Sequence, residues 1–230
     1  MDPRKLFVDE RLTGKCAYCF GAPGTRDHVP SRVLLDDPLP ENLPVVEACL
    51  GCNNGFSLDE EYVACAIEAA VCGSCDPDVV SRAKIRRILA ARPALVSLIS
   101  SCRREEEDGS LIWRVDSARA RTVMLKLARG HVTYELGVIH PEEPELVEFF
   151  PLHMVKRESR DSFESDAAPI AVWPEIGSRA FLRAVVGANE VIRDGWIVVQ
   201  DGRYRYRVDQ ERGDEVRIVL SEYLGCRVVW

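Results

Sequence analysis

The sequence predicts an α+β protein: a small, loop-rich N-terminal unit stapled by metal, followed by a mixed helical and β-hairpin domain. Three observations carry this. The first 60 residues are crowded with Gly and Pro and hold four of the nine cysteines, in two Cys-x-x-Cys pairs. Residues 53–130 show apolar side chains recurring at helical spacing. Residues 195–230 alternate apolar and polar around Asp-Gly and Gly-Asp turns, the pattern of a β-meander.

The 230 residues are 47% hydrophobic and 29% charged with no low-complexity tract. Such a chain buries a core without disulfides, so its cysteines need another reason. No run of about 18 apolar residues occurs, and the opening Met-Asp-Pro-Arg-Lys-Leu-Phe-Val has no apolar h-region of a signal peptide. Membrane spanning and secretion are therefore not expected. The sequence predicts a cytoplasmic protein whose cysteines are reduced thiols or metal ligands.

The elements follow in order. Leu58, Tyr62, Cys65, Ala66 and Ala69 predict a helix over 53–71, with Asp59, Glu60 and Glu61 in its early turns, where acids complement the helix dipole. Asp76-Pro77-Asp78 stops it and divides the chain into units 1–75 and 76–230. A basic helix is expected over 79–91, and Pro93 opens another that runs to 101. Residues 111–115 read as a strand and 117–129 as a helix with Val123, Met124, Leu127 and Ala128 inward and Arg119, Thr122, Lys126 and Arg129 outward. Beyond it come an exposed loop over 156–166, a helix over 178–186, and strands over 196–200, 204–208, 216–220 and 226–230.

The net charge of −7 is unevenly spread. Residues 1–60 carry 6 Lys/Arg against 10 Asp/Glu, whereas residues 78–130 carry 12 against 6. A basic block of this kind is compatible with a phosphate-binding face, although solvated arginines on amphipathic helices are the commoner explanation. Arg82, Arg86, Arg87, Arg119, Lys126 and Arg129 are the candidates for tracking a nucleic-acid backbone. The acidic C-terminal part is assigned to covering the core, to a homodimer or to a protein partner.

Cys16-Ala17-Tyr18-Cys19 and Cys49-Leu50-Gly51-Cys52 form two knuckles at a spacing that lets four thiolates meet one tetrahedral Zn²⁺. Four cysteine ligands close the coordination sphere, so this zinc is expected to be structural. A third pair, Cys72 and Cys75, has no fourth partner and reads as helix-end thiols. His131, His140 and His153 show no metal-like spacing and are assigned packing or surface roles.

Between the knuckles lies Thr25-Arg26-Asp27-His28-Val29-Pro30, and Asn53-Asn54-Gly55-Phe56-Ser57 follows the second. At these residues the chain resembles the HNH endonucleases of the ββα-metal fold, in the variant with two Cys-x-x-Cys zinc knuckles. The resemblance covers about the first 60 residues. It implies that Asp27 and Asn53 bind a catalytic Mg²⁺ or Mn²⁺, that His28 is the general base, and that double-stranded DNA is the substrate, in a setting such as restriction or phage defence. Asn42 resembles the family's middle asparagine but lies farther before Asn53 than the family pattern has it, and Asn54 is the alternative ligand to Asn53. Arg32 is a candidate phosphate clamp.

These residue types suit the chemistry on their own terms. Phosphodiester hydrolysis needs a deprotonated water and a cation beside the phosphorus. Hard oxygen donors suit Mg²⁺ or Mn²⁺, and an imidazole titrating near 6.5 suits proton transfer at neutral pH. Successive strand residues point to opposite faces, so Asp27 and His28 can share a site only where the strand bends or twists. A non-catalytic zinc module that binds nucleic acid or protein, and an RNA-cleaving toxin-like nuclease, are the alternatives.

Overall fold

A computed structural model describes residues 14–40, 43–105, 111–165, 192–210 and 213–230. Helices and antiparallel sheets both contribute, so the chain is α+β. Strands β1 (Thr25–His28) and β2 (Val45–Ala48) form a hairpin, with a 3-10 turn at Arg32–Leu34 between them. Helices α1 (Leu50–Gly55), α2 (Ser57–Cys72), α3 (Ala83–Ala91) and α4 (Pro93–Ser101) follow. A small ribbon, β3 (Arg103–Glu105) with β4 (Leu111–Trp113), leads into α5 (Ser117–Leu136).

The remainder is β5 (Leu146–Pro151), α6 (Arg157–Ser165), β6 (Ile192–Arg193), β7 (Trp196–Gln200), β8 (Tyr204–Asp209), β9 (Glu215–Leu220) and β10 (Leu224–Val229). Its strands make one six-stranded antiparallel sheet in the order β5-β10-β9-β8-β7-β6. The expected meander forms β7 to β10, and Gly202, at a φ of 67°, supplies the left-handed position of the Asp-Gly turn.

The 20-residue helix α5 organises the fold. Asp116 caps it, accepting from the backbone N–H of Ala118 at 2.9 Å and Arg119 at 3.2 Å, and Gly137 ends it in the left-handed conformation. One side of α5 packs on α2, and Val123, Met124, Leu127, Ala128 and Val132 share a cluster with Tyr204, Tyr206, Ile218 and Val228 of the sheet. That cluster runs from Leu34 to Val228 and so spans residue 75. The hairpin keeps a separate small core of Cys16, Ala17, Tyr18, Val29, Val46 and Ala48.

Several elements differ from expectation, each for a physical reason. The helix expected over 53–71 starts earlier and breaks at Phe56, because Cys49 caps α1 and its sulfur accepts from the Cys52 N–H. The basic helix starts at Ala83 rather than 79, because residues 77–79 form a turn over the Asp76 carbonyl. Arg157–Ser165 form a helix, α6, within the stretch 156–166 expected to be an exposed loop. The pairs Arg157–Asp161 and Arg160–Glu164 lie one turn apart, and Phe163 anchors the helix against Leu152 and Trp196. The helix expected over 178–186 and Asn42 lie outside the described residues.

Helix α5 also runs past Gly130, where the sequence reading stops it. A β-carbon at Gly130 would stand 2.6 Å from Cγ2 and 2.9 Å from Cγ1 of Val29, which is fully buried. The glycine thus sets how closely α5 approaches the hairpin. Gly130→Ala gains about 1 kcal/mol of helix propensity but forces a stiff β-branched neighbour to move, at about 1–3 kcal/mol. We expect a net loss in urea unfolding. The double variant Val29→Ala/Gly130→Ala should lose less than the two single changes added together.

Candidate functional site

The hairpin is held by its own turns before any metal is considered. Cys16 N–H donates to the Gly21 carbonyl at 2.8 Å and Ala17 N–H to the Glu47 carbonyl at 2.9 Å, which seats the first knuckle on β2. The second knuckle is the cap and first turn of α1. The Sγ atoms of Cys16, Cys19, Cys49 and Cys52 all lie within 4.8 Å of one another, and those of Cys19 and Cys49 are 3.8 Å apart. Bonds of about 2.3 Å to a tetrahedral zinc put sulfurs about 3.8 Å from one another. These four sulfurs can therefore hold a metal such as zinc. The Cys52 backbone N–H aimed at Cys49 Sγ lowers that thiol's pKa to about 7, favouring the ligating thiolate.

Beside the knuckles lies a cleft of about 410 Å³, and Asp27, His28 and Asn53 all line it, with Arg26, Arg32 and Glu60. Strand alternation would send Asp27 and His28 to opposite faces. His28 is the last residue of β1, where the chain bends into Val29-Pro30, so both side chains reach the cleft. Asn53 arrives from α1. Its Nδ2 donates to Thr25 Oγ1 at 3.0 Å and the Arg26 carbonyl at 3.3 Å, which pins α1 to β1 and leaves Oδ1 as the amide's ligand atom. Asn54 is exposed and does not line the cleft.

His28 Nε2 lies 2.5 Å from Arg32 Nη2. A guanidinium only donates, so Nε2 carries the lone pair and the ring proton sits on Nδ1. Asp27 Oδ2 accepts from the Tyr18 hydroxyl at 2.7 Å and from Lys126 Nζ at 2.8 Å. Burial, and then the Asp27 charge, raise the Tyr18 pKa well above its ordinary value, so the phenol remains a donor. Two donors on Oδ2 leave Oδ1 for a ligand. Asp27 Oδ1 and Asn53 Oδ1 are hard oxygen donors, the type that Mg²⁺ or Mn²⁺ takes, and both side chains line the cleft.

Lys126 is the main correction to the sequence reading. Helical periodicity assigns it to the outward, nucleic-acid-facing side of its helix, yet it is 2% exposed. Residues 123–128 are all buried, because α2, the sheet and the hairpin cover α5 on nearly every face. A lone buried charge costs several kcal/mol, and removing one member of a buried pair about 3–5 kcal/mol. Lys126 meets this cost by donating to Asp27, to Glu60 Oε1 at 2.7 Å and to Ser31 Oγ at 2.7 Å.

The other expected phosphate-tracking residues are also engaged within the chain. Arg82 is buried, with Nε 2.6 Å from Asp36 Oδ1. Burial opposes ionisation of Asp36, but Arg82 and Arg203 outweigh it and lower that carboxyl's pKa. Arg86 donates to the Val80 carbonyl, and Arg129 to the carbonyls of Pro141 and Glu142. Arg92 and Arg119 pair with Glu61 and Asp59. Arg82, Arg92, Arg119 and Lys126 of the basic block thus pair with acids of the first 61 residues, while Arg86 and Arg87 remain exposed. Arg26 and Arg32 stay exposed at the cleft. Sequence reasoning missed Tyr18, Ser31 and Glu60. The only signal was Glu60, one turn into α2, which reads equally well as a dipole-complementing acid.

His131 is buried, with Nε2 2.7 Å from the Tyr204 hydroxyl and its ring stacked on Tyr206 at 3.6 Å. His140 lies between Glu142 and Asp214. Among the described residues no helix is long and apolar enough to cross a membrane. No family model, curated protein or solved structure matches the chain.

Cys49→Ser removes one of four ligands and the cap of α1 together. Elemental analysis should show zinc falling from about one per chain to near zero. Limited proteolysis should then cut first within residues 14–55, where the small core has lost its clamp.

Proposed function

We propose that the protein is a metal-dependent endonuclease of the HNH kind that hydrolyses phosphodiester bonds in DNA, with a structural zinc on the four cysteines. The observation that carries the reading is the meeting of Asp27, His28 and Asn53 in one cleft beside the four-sulfur clamp. Three residue types that hydrolysis needs converge there from two elements, a strand and a helix.

In this reading Asp27 Oδ1 and Asn53 Oδ1 would hold a Mg²⁺ or Mn²⁺, which would offset charge on the phosphoryl oxygens and the leaving 3′ oxygen. His28 Nε2 takes a proton from water as the water oxygen bonds to phosphorus. The bond to the 3′ oxygen breaks, and that oxygen takes a proton from solvent, leaving a 5′-phosphate and a 3′-hydroxyl. Arg32 has two tasks. Its N–H faces the Nε2 lone pair in the free protein, and an arriving phosphate draws the guanidinium into a charge-assisted contact, which frees the base. Arg26, exposed on the same rim, offers a second phosphate contact.

A second reading, a non-catalytic metal-clamped binding module, draws on one observation: the Lys126 ammonium already pairs with Asp27 at 2.8 Å. The two readings separate in one assay. Supercoiled plasmid, single-stranded DNA and structured RNA are incubated with Mg²⁺, Mn²⁺ or EDTA. The nuclease reading expects plasmid nicking or cleavage with either metal and none with EDTA. His28→Ala should slow it by about 10²–10⁴-fold with zinc content unchanged. A wild-type chain inert in every metal overturns this reading, and cleavage confined to RNA moves it to the toxin-like alternative.

A further inference from the structure

Lys126 is the point at which the second half of the chain enters the cleft. An ammonium has three N–H donors. Three acceptors surround this one, Asp27 Oδ2 at 2.8 Å, Glu60 Oε1 at 2.7 Å and Ser31 Oγ at 2.7 Å. Every proton is used inside the protein, so none remains for a substrate oxygen. The Ser31 hydroxyl, which accepts from Lys126, donates its own proton to Glu60 Oε1 at 2.5 Å. The Tyr18 hydroxyl donates to Asp27 Oδ2. Two carboxylates, one ammonium and two hydroxyls thus satisfy one another through Asp27 Oδ2 and Glu60 Oε1, and Asp27 Oδ1 and Glu60 Oε2 take no part.

Geometry and charge both follow from this arrangement. Two donors converging on Oδ2 fix the rotation of the Asp27 carboxylate. The ammonium also balances one negative charge of the Asp27–Glu60 pair, so a cation entering the cleft meets one net carboxylate rather than two. Lys126 is held in turn by its helix, since Gly130, one turn later, lets α5 approach Val29. Tyr18 and Phe56 place their rings 5.8 Å and 6.0 Å from its nitrogen.

We propose that Lys126 is a positioning residue of the phosphodiester site: it locks Asp27 so that a single oxygen is offered to a divalent cation, and it balances one charge of the Asp27–Glu60 pair so that the two carboxylates do not clasp the ion between them. The proposal rests on the nuclease reading and deepens it. The hairpin and α1 alone are then an incomplete catalytic unit, because a helix some 90 residues further along the chain orients the carboxylate.

The test uses the full-length chain and Mn²⁺ as the probe. Mn²⁺ affinity is measured by electron paramagnetic resonance in the His28→Ala background, with and without Lys126→Met, after zinc content is checked. Removing the ammonium uncovers two carboxylates, so Mn²⁺ should bind at least about tenfold more tightly. With His28 restored, Lys126→Met should lower kcat on plasmid at saturating Mn²⁺ by at least about tenfold, because the ion settles between Asp27 and Glu60 rather than against Asp27 Oδ1 and Asn53. A purely structural lysine would weaken metal binding and stability together. Should Lys126→Met not fold, Lys126→Met/Glu60→Gln takes its place: it removes one charge of each sign and leaves one net carboxylate, so Mn²⁺ affinity should stay near the parent's while kcat still falls, because Asp27 Oδ2 has lost one of the two donors that fix it. A folded Lys126→Met chain whose Mn²⁺ affinity is unchanged or weaker, or a folded single or double variant whose kcat matches the parent, overturns the proposal. A wild-type chain that binds Mn²⁺ in the cleft but cuts nothing overturns the nuclease reading alone, and the Mn²⁺ comparison still decides the role of Lys126.

Discussion

A buried ammonium stays charged only where acceptors surround it, and every acceptor of Lys126 belongs to the first 60 residues: Asp27, Ser31 and Glu60. The pairing ties the longest helix to the hairpin. Gly130, one turn further on, removes the side chain that would hold the two apart, and Val29 fills the space. The hairpin thus gains from α5 what its own six-residue core is too small to provide. The four sulfurs of the knuckles are placed to tie the hairpin to α1 when they hold a metal.

The same logic extends outward along the charge distribution. An acidic N-terminal stretch and a basic middle one look, as sequence, like separate surfaces with separate partners. In the structure they neutralise each other: Asp36 takes Arg82 and Arg203, Glu61 takes Arg92, and Asp59 takes Arg119, whose guanidinium also lies over the Tyr62 ring. Exposed pairs of this kind contribute little each, whereas the buried Arg82–Asp36 contact fixes how the segment after β1 meets α3. Gln200 and Arg203, from the turn between β7 and β8, reach the same Asp36. The far edge of the sheet is thereby fastened to the loop that follows the cleft.

The proposed chemistry occupies the seam between these two attachments. On one side, the turns of the knuckles and the Asn53 amide place α1 against β1. On the other, Lys126 and Tyr18 orient Asp27 from beneath. His28 sits between them with Arg32 at its lone pair. The arrangement is a preorganised set of donors and acceptors rather than a loose gathering of polar residues, and preorganisation is what hydrolysis of a phosphodiester requires.

Much of this was readable along the chain wherever the physics is local. Two residues between sulfurs, an Asp-His pair at a strand end and an asparagine following a knuckle are short-range patterns. The turns and caps of the knuckles involve near neighbours, so the knuckles were legible, whereas the grouping of Asp27, His28 and Asn53 was expected only from the family resemblance, since strand alternation argues against it and Asn53 meets β1 across 28 residues. The meander was legible for the same reason, since alternation and Asp-Gly turns act over a few residues. What depends on distant surfaces was not legible. Helical periodicity sends a lysine to solvent, and only a helix covered by α2, the sheet and the hairpin turns Lys126 inward. Glycine reads as a helix end, and only the approach of Val29 makes Gly130 a packing position. The sequence by itself determined which donor atoms exist and which turns present them, because those choices are made within a few bonds. The tertiary structure decided which charges are spent on one another, because burial and pairing depend on what lies across from each side chain.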